Sequence, residues 1–319
     1  MKIDLVYLWV DGSDPVWQAK KRSLSEPGVA VSQNNVDDDC EGRYADNDEL
    51  KFSLRSANQY APWINKIFIV TDNQVPKWLD VSHPKIRVVD HSEILPREIL
   101  PTFNSVTIEH GLWRIPGLSE HFLYANDDMF FNREVSPSDF FTERGLPIVR
   151  FNRRPLRKLS LWFKEKIQGK ELSTYNRTIQ NSANLVKQSF GKYIGHKTHH
   201  NIDAYSLSSY SDTYDIFKKD IEPTLGRVRS ADDVQRNIYS YAAVMKGEAV
   251  KVFVNQKTSL RLHIDNPTHL HKLESVTPML FCVNDSKYAT EADRARVRKY
   301  LSERFPTPAP WEKVSPEGR

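Results

Sequence analysis

Residues 122–131 read FLYANDDMFF, and the chemistry sits at the centre, where Asn126, Asp127 and Asp128 interrupt an otherwise apolar, aromatic run. Two adjacent carboxylates resist burial, because desolvation disfavours the charged form and the pair repels itself. Either a divalent cation or a hydrogen-bond donor meets them, or the strand simply turns and Asp127 caps the loop. Further on, His196, His199 and His200 fall within five residues, and Arg229 lies just ahead of the pair Asp232 and Asp233. Imidazole titrates near neutral pH and can move protons. Three clustered histidines also invite a zinc reading, but no regular His–Glu spacing and no thiolate partner accompany them.

Such groups need elements to hold them. IDLVYLWV (3–10) reads as a buried strand followed by the turn cluster DGSDP. After Asp46 and Asn47, Leu50, Leu54, Ala57 and Ala61 repeat at helical spacing until Pro62 stops the pattern. IFIVTD (67–72) and IRVVDH (86–91) read as strands, and NSVTIEHGLWRI (104–115) as a helix with an Asn-Ser cap. FLYANDDMFF is then the fourth strand and LPIVRF (146–151) a fifth. Strands alternating with helices predict an α/β fold with a mostly parallel sheet, whose ligands gather at the carboxyl ends of the strands. Asp11, Asp72 and Asp127–Asp128 all fall at such ends.

The character changes after residue 151. RRPLRKLSLWFKEKIQGK (153–170) is basic with interleaved Leu, Trp and Phe, an amphipathic helix or an ordered insertion. A solvated face and an acidic-ligand or membrane-surface role both remain open for it. Residues 176–246 read as mostly helical, KVFVNQ (251–256) as a strand and EADRARVRKYLSERF (291–305) as an amphipathic helix.

Composition narrows the class. The 319 residues are 39% hydrophobic and 27% charged, ordinary for a soluble globular protein long enough for one large α/β domain or two smaller ones. A net charge of +4 is too mild to imply nucleic acid. No apolar run approaches a bilayer span, and IDLVYLWV is bracketed by Asp4 and Asp11 rather than by the flanks of a signal peptide, so a cytosolic start is expected. Cys40 and Cys282 are too few for a disulfide framework.

Four blocks resemble the stealth family of hexose-1-phosphate transferases, which includes bacterial capsular polysaccharide phosphotransferases and the catalytic part of the animal N-acetylglucosamine-1-phosphotransferase. They are IDLVYLWVDGSDPVW (3–17), the long stretch 43–79 continuing through 100–131, the looser pair GHKTHHNIDAYSLS (195–208) and RVRSADDVQRNIYSYAAVM (227–245), and 281–313. The resemblance implies a glycosyltransferase-like (GT-A or Rossmann-like) nucleotide-sugar-binding part over 1–152. It adds a mostly helical region over 153–250 with acceptor and phosphate residues, and a segment over 251–319 that returns to the core. It also implies transfer of a sugar 1-phosphate, an N-acetylhexosamine 1-phosphate, from a UDP-sugar to a hydroxyl of a growing capsular polysaccharide, with release of UMP. A metal-dependent glycosyltransferase releasing UDP is the rival, and a non-catalytic carbohydrate-binding protein a distant third.

The same resemblance carries roles to residues. Asp127 and Asp128 suit Mg2+ or Mn2+, with Asp285 as a further ligand, though one of the aspartates acting as base is the alternative. Glu109 matches a functional glutamate, and Arg229 an arginine that grips phosphates bidentately. His200 is the acid or base. Family members tend to show His followed two positions later by Pro, whereas Ile202 stands here, so the role stays open among His196, His199 and His200. Asp11, Gly12, Arg55, Asn104, Asn126, Asp233, Asn284 and Asp285 complete the substrate-binding set. Arg153, Arg154, Arg157 and Lys158 are expected to form a cationic track for the polyanionic product. Peripheral contact with the cytoplasmic face of the inner membrane or with capsule export machinery is expected, and nucleic acid is not.

Overall fold

In the computed structural model, which describes residues 1–24, 47–154, 156–286 and 288–313, the first apolar run becomes strand β1 (Ile3–Leu8) at the centre of a five-stranded sheet. Cys40, Asp46 and the side chain of Lys158 lie outside the described residues. Asp14 caps helix α1 (Pro15–Ser23) through the Val16 amide, with Pro15 at the position whose missing N–H costs nothing. Helix α2 (Glu49–Tyr60), strands β2 (Ile67–Thr71) and β3 (Ile86–Asp90), helices α3 (His91–Ile94) and α4 (Ser105–Gly111) and strand β4 (His121–Asn126) follow. β3, β2, β1 and β4 lie side by side and parallel, so their carboxyl ends share one edge. Side chains alternate across β1: Val6 packs on one face with Phe68 and Phe122, and Leu5 and Tyr7 pack on the other with Ile67 and Leu123.

FLYANDDMFF is not one strand. The chain turns at Asp127–Asp128, and strand β5 (Met129–Phe131) leaves the main sheet to pair elsewhere. The carboxylate pair breaks the ladder, for the reason that made it conspicuous: two adjacent charges are too costly to enclose between neighbouring strands.

The remaining elements are β6 (Ile148–Asn152), α5 (Arg157–Lys166), α6 (Thr174–Phe190), β7 (Lys197–Thr198), β8 (Asp203–Ser206), α7 (Leu207–Ile221), α8 (Asn237–Lys246), β9 (Val250–Phe253), β10 (Ser259–His263), α9 (Thr268–Val276), β11 (Leu280–Asn284) and α10 (Glu291–Arg304). The stretch 146–151 supplies a strand of a separate sheet, with β6 between β7 and β9. The region 176–246 also holds β8, which joins the main sheet antiparallel to β4 with Tyr124 opposite Asp203. Only four residues long, β8 has no alternation to read, and β4 supplies its register. The third sheet runs β10, β11, β5, and ring stacking of Phe130 on Phe281 at 4.7 Å helps to lock it. Helix 104–115 is α-helical through Gly111 and tightens to a 3-10 turn over Leu112–Arg114. Among the described residues no helix is long and apolar enough to cross a membrane.

Candidate active site

The carboxyl ends of β1, β2 and β4 meet the beginning of β8 on one edge, and two buried polar clusters form there. The first is built on Arg236, beside the start of α8. Its Nη1 donates to Asp203 Oδ2 at 3.0 Å and also to the Tyr205 hydroxyl, and its Nε lies 3.4 Å from Glu109 Oε1. The guanidinium stacks over Tyr124, 4.2 Å from the ring centroid. Tyr124 Oη lies 2.8 Å from both Glu109 Oε1 and Asn126 Oδ1. Buried His199 brings Nε2 to 3.2 Å from Asp203 Oδ1. Burial pushes the Asp203 carboxyl up, but Arg236 and His199 outweigh it and hold the group below the usual carboxylate range. Glu109 keeps one buried oxygen, Oε2, with no hydrogen-bond partner among the described residues.

α4 delivers Glu109 to this point, and its neighbours leave it little freedom. Asn104 caps it at the Val106 amide and donates to Asp233 Oδ2 at 2.9 Å. His110 is clasped between the Tyr239 hydroxyl at 2.6 Å and the Val234 carbonyl at 2.7 Å, and burial lowers its imidazole to about 4, so it is neutral near pH 7. At Gly111 a Cβ would meet Leu95 at 2.8 Å and the Ile94 carbonyl oxygen at 2.9 Å, so only glycine lets α4 pack this tightly on α3.

The second cluster surrounds Asp128. Ligand atoms of Asp128, His200 and Cys282 all lie within 4.8 Å of one another. Asp128 Oδ1 is buried with no hydrogen-bond partner among the described residues. Burial, and then the charge of Glu49, push its carboxyl up to about 7, with Arg261 opposing. Burial, and then the charges of Arg261 and Arg236, lower the His200 imidazole to about 3, so His200 is a neutral acceptor near pH 7. Cys282 donates to Asn284 Oδ1 at 3.2 Å, and burial raises its thiol well above the ordinary range. Asn284 Oδ1 also accepts from Arg261 Nε at 2.5 Å. Asp127 sits beside β1: burial raises the Tyr7 phenol, its bond to Ser53 opposes, and the Asp127 charge adds to the rise.

A cation fits at Asp128, where a desolvated carboxylate oxygen lacks a hydrogen-bond partner among the described residues. Cys282, held as a neutral thiol, is a poor ligand, which favours a hard cation on carboxylate and phosphate oxygens over a zinc site. Asp285 is engaged otherwise: Arg294 grips both its oxygens at 2.8 and 3.3 Å.

The other expected residues fall in three places. Asp11 closes its turn on the Ser13 amide at 2.9 Å, and its backbone exchanges two hydrogen bonds with Gln74, while Gly12 O accepts from Gln18; this clips DGSDP to the end of β2. Arg229 donates to Ser105 at the start of α4 at 2.6 Å, and Asp233 accepts from the Ser230 amide at 3.2 Å, so this loop is braced against α4. Burial raises the Asp233 carboxyl to about 6. Arg55 is turned away to the C-terminal segment, where it grips Glu312 in bidentate fashion at 2.7 Å and the Phe305 carbonyl at 2.9 Å. His196 packs its ring on Phe253 at 4.8 Å and accepts from the Arg154 amide. Sequence reasoning did not find Arg236, Asp203 or Tyr124, which look like ordinary strand or helix residues until β8 and α8 are packed on β4, nor Arg261 and Glu49, which meet Asp128 only once β10, β11 and α2 are assembled around β5. A cleft of about 350 Å³, lined by Asn132, Leu273, Glu274, Thr277, Tyr300, Glu303 and Arg304, lies beyond the far end of β5 from Asp128.

Residues 1–26 match conserved region 1 of the Stealth proteins and residues 43–149 match conserved region 2. An exopolysaccharide phosphotransferase of Nocardia farcinica is 36% identical over 332 residues, covering 99% of this chain and 62% of the relative. The exopolysaccharide phosphotransferase CpsY of Mycobacterium tuberculosis is also 36% identical, over 98% of this chain and 58% of that protein. The chain thus spans roughly three-fifths of the length of these relatives. A crystal structure of galactosyltransferase LgtC with donor and acceptor sugar analogues aligns over 98% of both chains at 11% identity, with a TM-score of 0.47.

Proposed function

The chain belongs to the Stealth family, and on that footing we propose that it is a sugar-phosphate transferase of polysaccharide synthesis, moving a hexose 1-phosphate from a UDP-sugar to a saccharide hydroxyl. The observation that carries this reading is the uncompensated Asp128 carboxylate beside neutral His200, on the sheet edge where a sugar nucleotide would lie. The acceptor oxygen attacks the phosphorus next to the sugar, the bond from that phosphorus to the bridging oxygen breaks, and UMP leaves. The product is a phosphodiester. Neutral His200 takes the acceptor proton: burial, and then the charges of Arg261 and Arg236, leave its imidazole unprotonated at neutral pH. Arg229 and Arg261 neutralise diphosphate oxygens. Glu109, held by Tyr124 and Arg236, orients the acceptor through its unpartnered oxygen.

Asp127 and Asp128 would hold a divalent cation, Mg2+ or Mn2+, which when bound neutralises charge on the diphosphate. Asp285, clamped by Arg294, stiffens the β11 end beside Asn284. The DGSDP loop receives the nucleotide. The donor sugar is an N-acetylhexosamine and the acceptor a growing capsular or exopolysaccharide chain at the cytoplasmic face. A donor screen with separate readouts for UMP and UDP tests the reading: UMP release with a phosphodiester in the product supports it, whereas stoichiometric UDP overturns it in favour of ordinary glycosyl transfer.

A further inference from the structure

Helix α5 is built inside out. Leu156, Leu159, Phe163 and Ile167 recur at three- and four-residue spacing with Trp162 alongside, a stripe that in a surface helix normally faces the core. Here it faces outward: their exposures are 68%, 59%, 46%, 59% and 51%. The inward side carries Leu161 and Arg157, whose Nη2 donates to the Asn176 carbonyl at 3.3 Å. Single exposed apolar side chains are ordinary, but five contiguous ones on one face mark a surface that meets something. Exposed Arg153, Arg154, Lys164, Lys166 and Lys170 rim the stripe, against Glu165 and Glu171 alone. The neighbouring edge strand β9 extends the patch: exposed Phe253 has Arg153 at 5.9 Å and Lys251 at 5.4 Å from its ring centroid.

We propose that the outward face of α5 is a docking surface for an anionic lipid bilayer, lying in the headgroup plane with its apolar stripe at the acyl boundary and its cations on the phosphates. Ten residues of helix span about 15 Å, enough to lie on a membrane and too little to cross it. The chemistry of the rim selects this occupant. A second copy of the chain would bring two cationic rims together, and a polyanionic saccharide would satisfy the cations but leave Leu159, Trp162 and Phe163 in water. Only an anionic interface answers both, with Trp and Phe at the depth where aromatic rings settle. The same cationic neighbourhood extends to Lys197 on β7. Burial, and then the charges of Arg157, Arg154, Arg261 and Lys164, lower the Lys197 ammonium to about 8. None of this depends on which group the enzyme transfers.

Sedimentation of this chain with vesicles decides the matter, comparing pure phosphatidylcholine with phosphatidylcholine containing phosphatidylglycerol, at low and moderate salt. The expected result is co-sedimentation with the anionic vesicles, weakened by salt, and at least about a tenfold loss of partitioning for Leu159→Glu/Phe163→Glu. Circular dichroism and melting temperature of that variant should match the parent, since both side chains are exposed. Lys164→Ala/Lys166→Ala, which leaves the stripe intact, should weaken binding to anionic vesicles and not change the small binding to neutral ones. Equal partitioning to both vesicle types, or no loss in the Glu variant, overturns the proposal. So does light scattering that finds a dimer dissolved by the Glu variant without vesicle binding, or retention of a soluble phosphodiester polysaccharide by the stripe in place of vesicles.

Discussion

The two polar clusters on the sheet edge are made of similar groups and behave oppositely. Around Arg236 every charge has an opposite charge within 3.4 Å, and Asp203 is held below its ordinary range although it is buried. Around Asp128, a half-buried residue, one carboxylate oxygen is enclosed with no hydrogen-bond partner among the described residues, and its carboxyl rises to about 7. Burial pushes both carboxyls up, and their partners decide where each one ends. A compensated cluster positions what surrounds it. An uncompensated one leaves room for a bound group, which on the function proposed above is the cation that accompanies the donor's phosphates.

The largest effects should fall on activity at the uncompensated cluster. Asp128→Asn and Asp127→Asn should each cut turnover by at least about a thousandfold while the circular dichroism spectrum stays unchanged. Near-normal turnover by either variant in saturating magnesium would remove that residue from the catalytic set. The compensated cluster should respond in stability instead. Arg236→Met strands Asp203 and Glu109 as buried charges and should cost about 3–5 kcal/mol, read from denaturant unfolding. A loss below about 1 kcal/mol would mean that water already reaches the cluster and that the contrast drawn here is false.

The histidines sharpen the division, because neighbours in sequence belong to different clusters. His200→Ala should lower turnover by about a hundredfold with little change in melting temperature. For His199→Ala the order should reverse, with a clear drop in melting temperature from the loss of its contact with Asp203. His196→Ala should do neither. A catalytic loss confined to His199 would move the proton-transfer role into the Arg236 cluster. Arg229→Lys tests the loop between them, and about a tenfold fall, mainly in KM for the donor, is expected from losing the planar fork.

The smallest effect is the most direct reading of the contrast, and it is measured in EDTA. Folding raises the Asp128 carboxyl, so its contribution to stability is full below about pH 4 and declines as pH rises to about 7. Folding depresses Asp203, so its contribution is present above the ordinary carboxylate range and is lost as pH falls through its folded value. At about pH 8, Asp128→Asn should therefore raise the melting temperature by several degrees and Asp203→Asn should lower it; at about pH 4 the Asp128 effect should vanish. Both variants shifting the same way would erase the distinction.

Much of this was legible in the chain itself. Continuous apolar runs marked β1, β2 and β4, apolar period marked α2, period with an Asn-Ser cap marked α4, and carboxylates at strand ends marked the edge where the polar clusters form, because each of these depends on local spacing and on the cost of burying charge. What required the tertiary structure was everything decided by partners distant in sequence. The turn that splits 122–131 is completed by β11, the four residues of β8 take their register from β4, and Arg236 becomes the centre of a cluster only when α8 packs against Glu109 and Asp203. Arg55 lay on a well-read helix, yet its task was set by Glu312, 257 positions later. The stripe on α5 was visible as a pattern, but whether it faced the core or the solvent was fixed by where Arg157 and Leu161 found room. Periodicity names the residues that share a face; only packing chooses what that face meets.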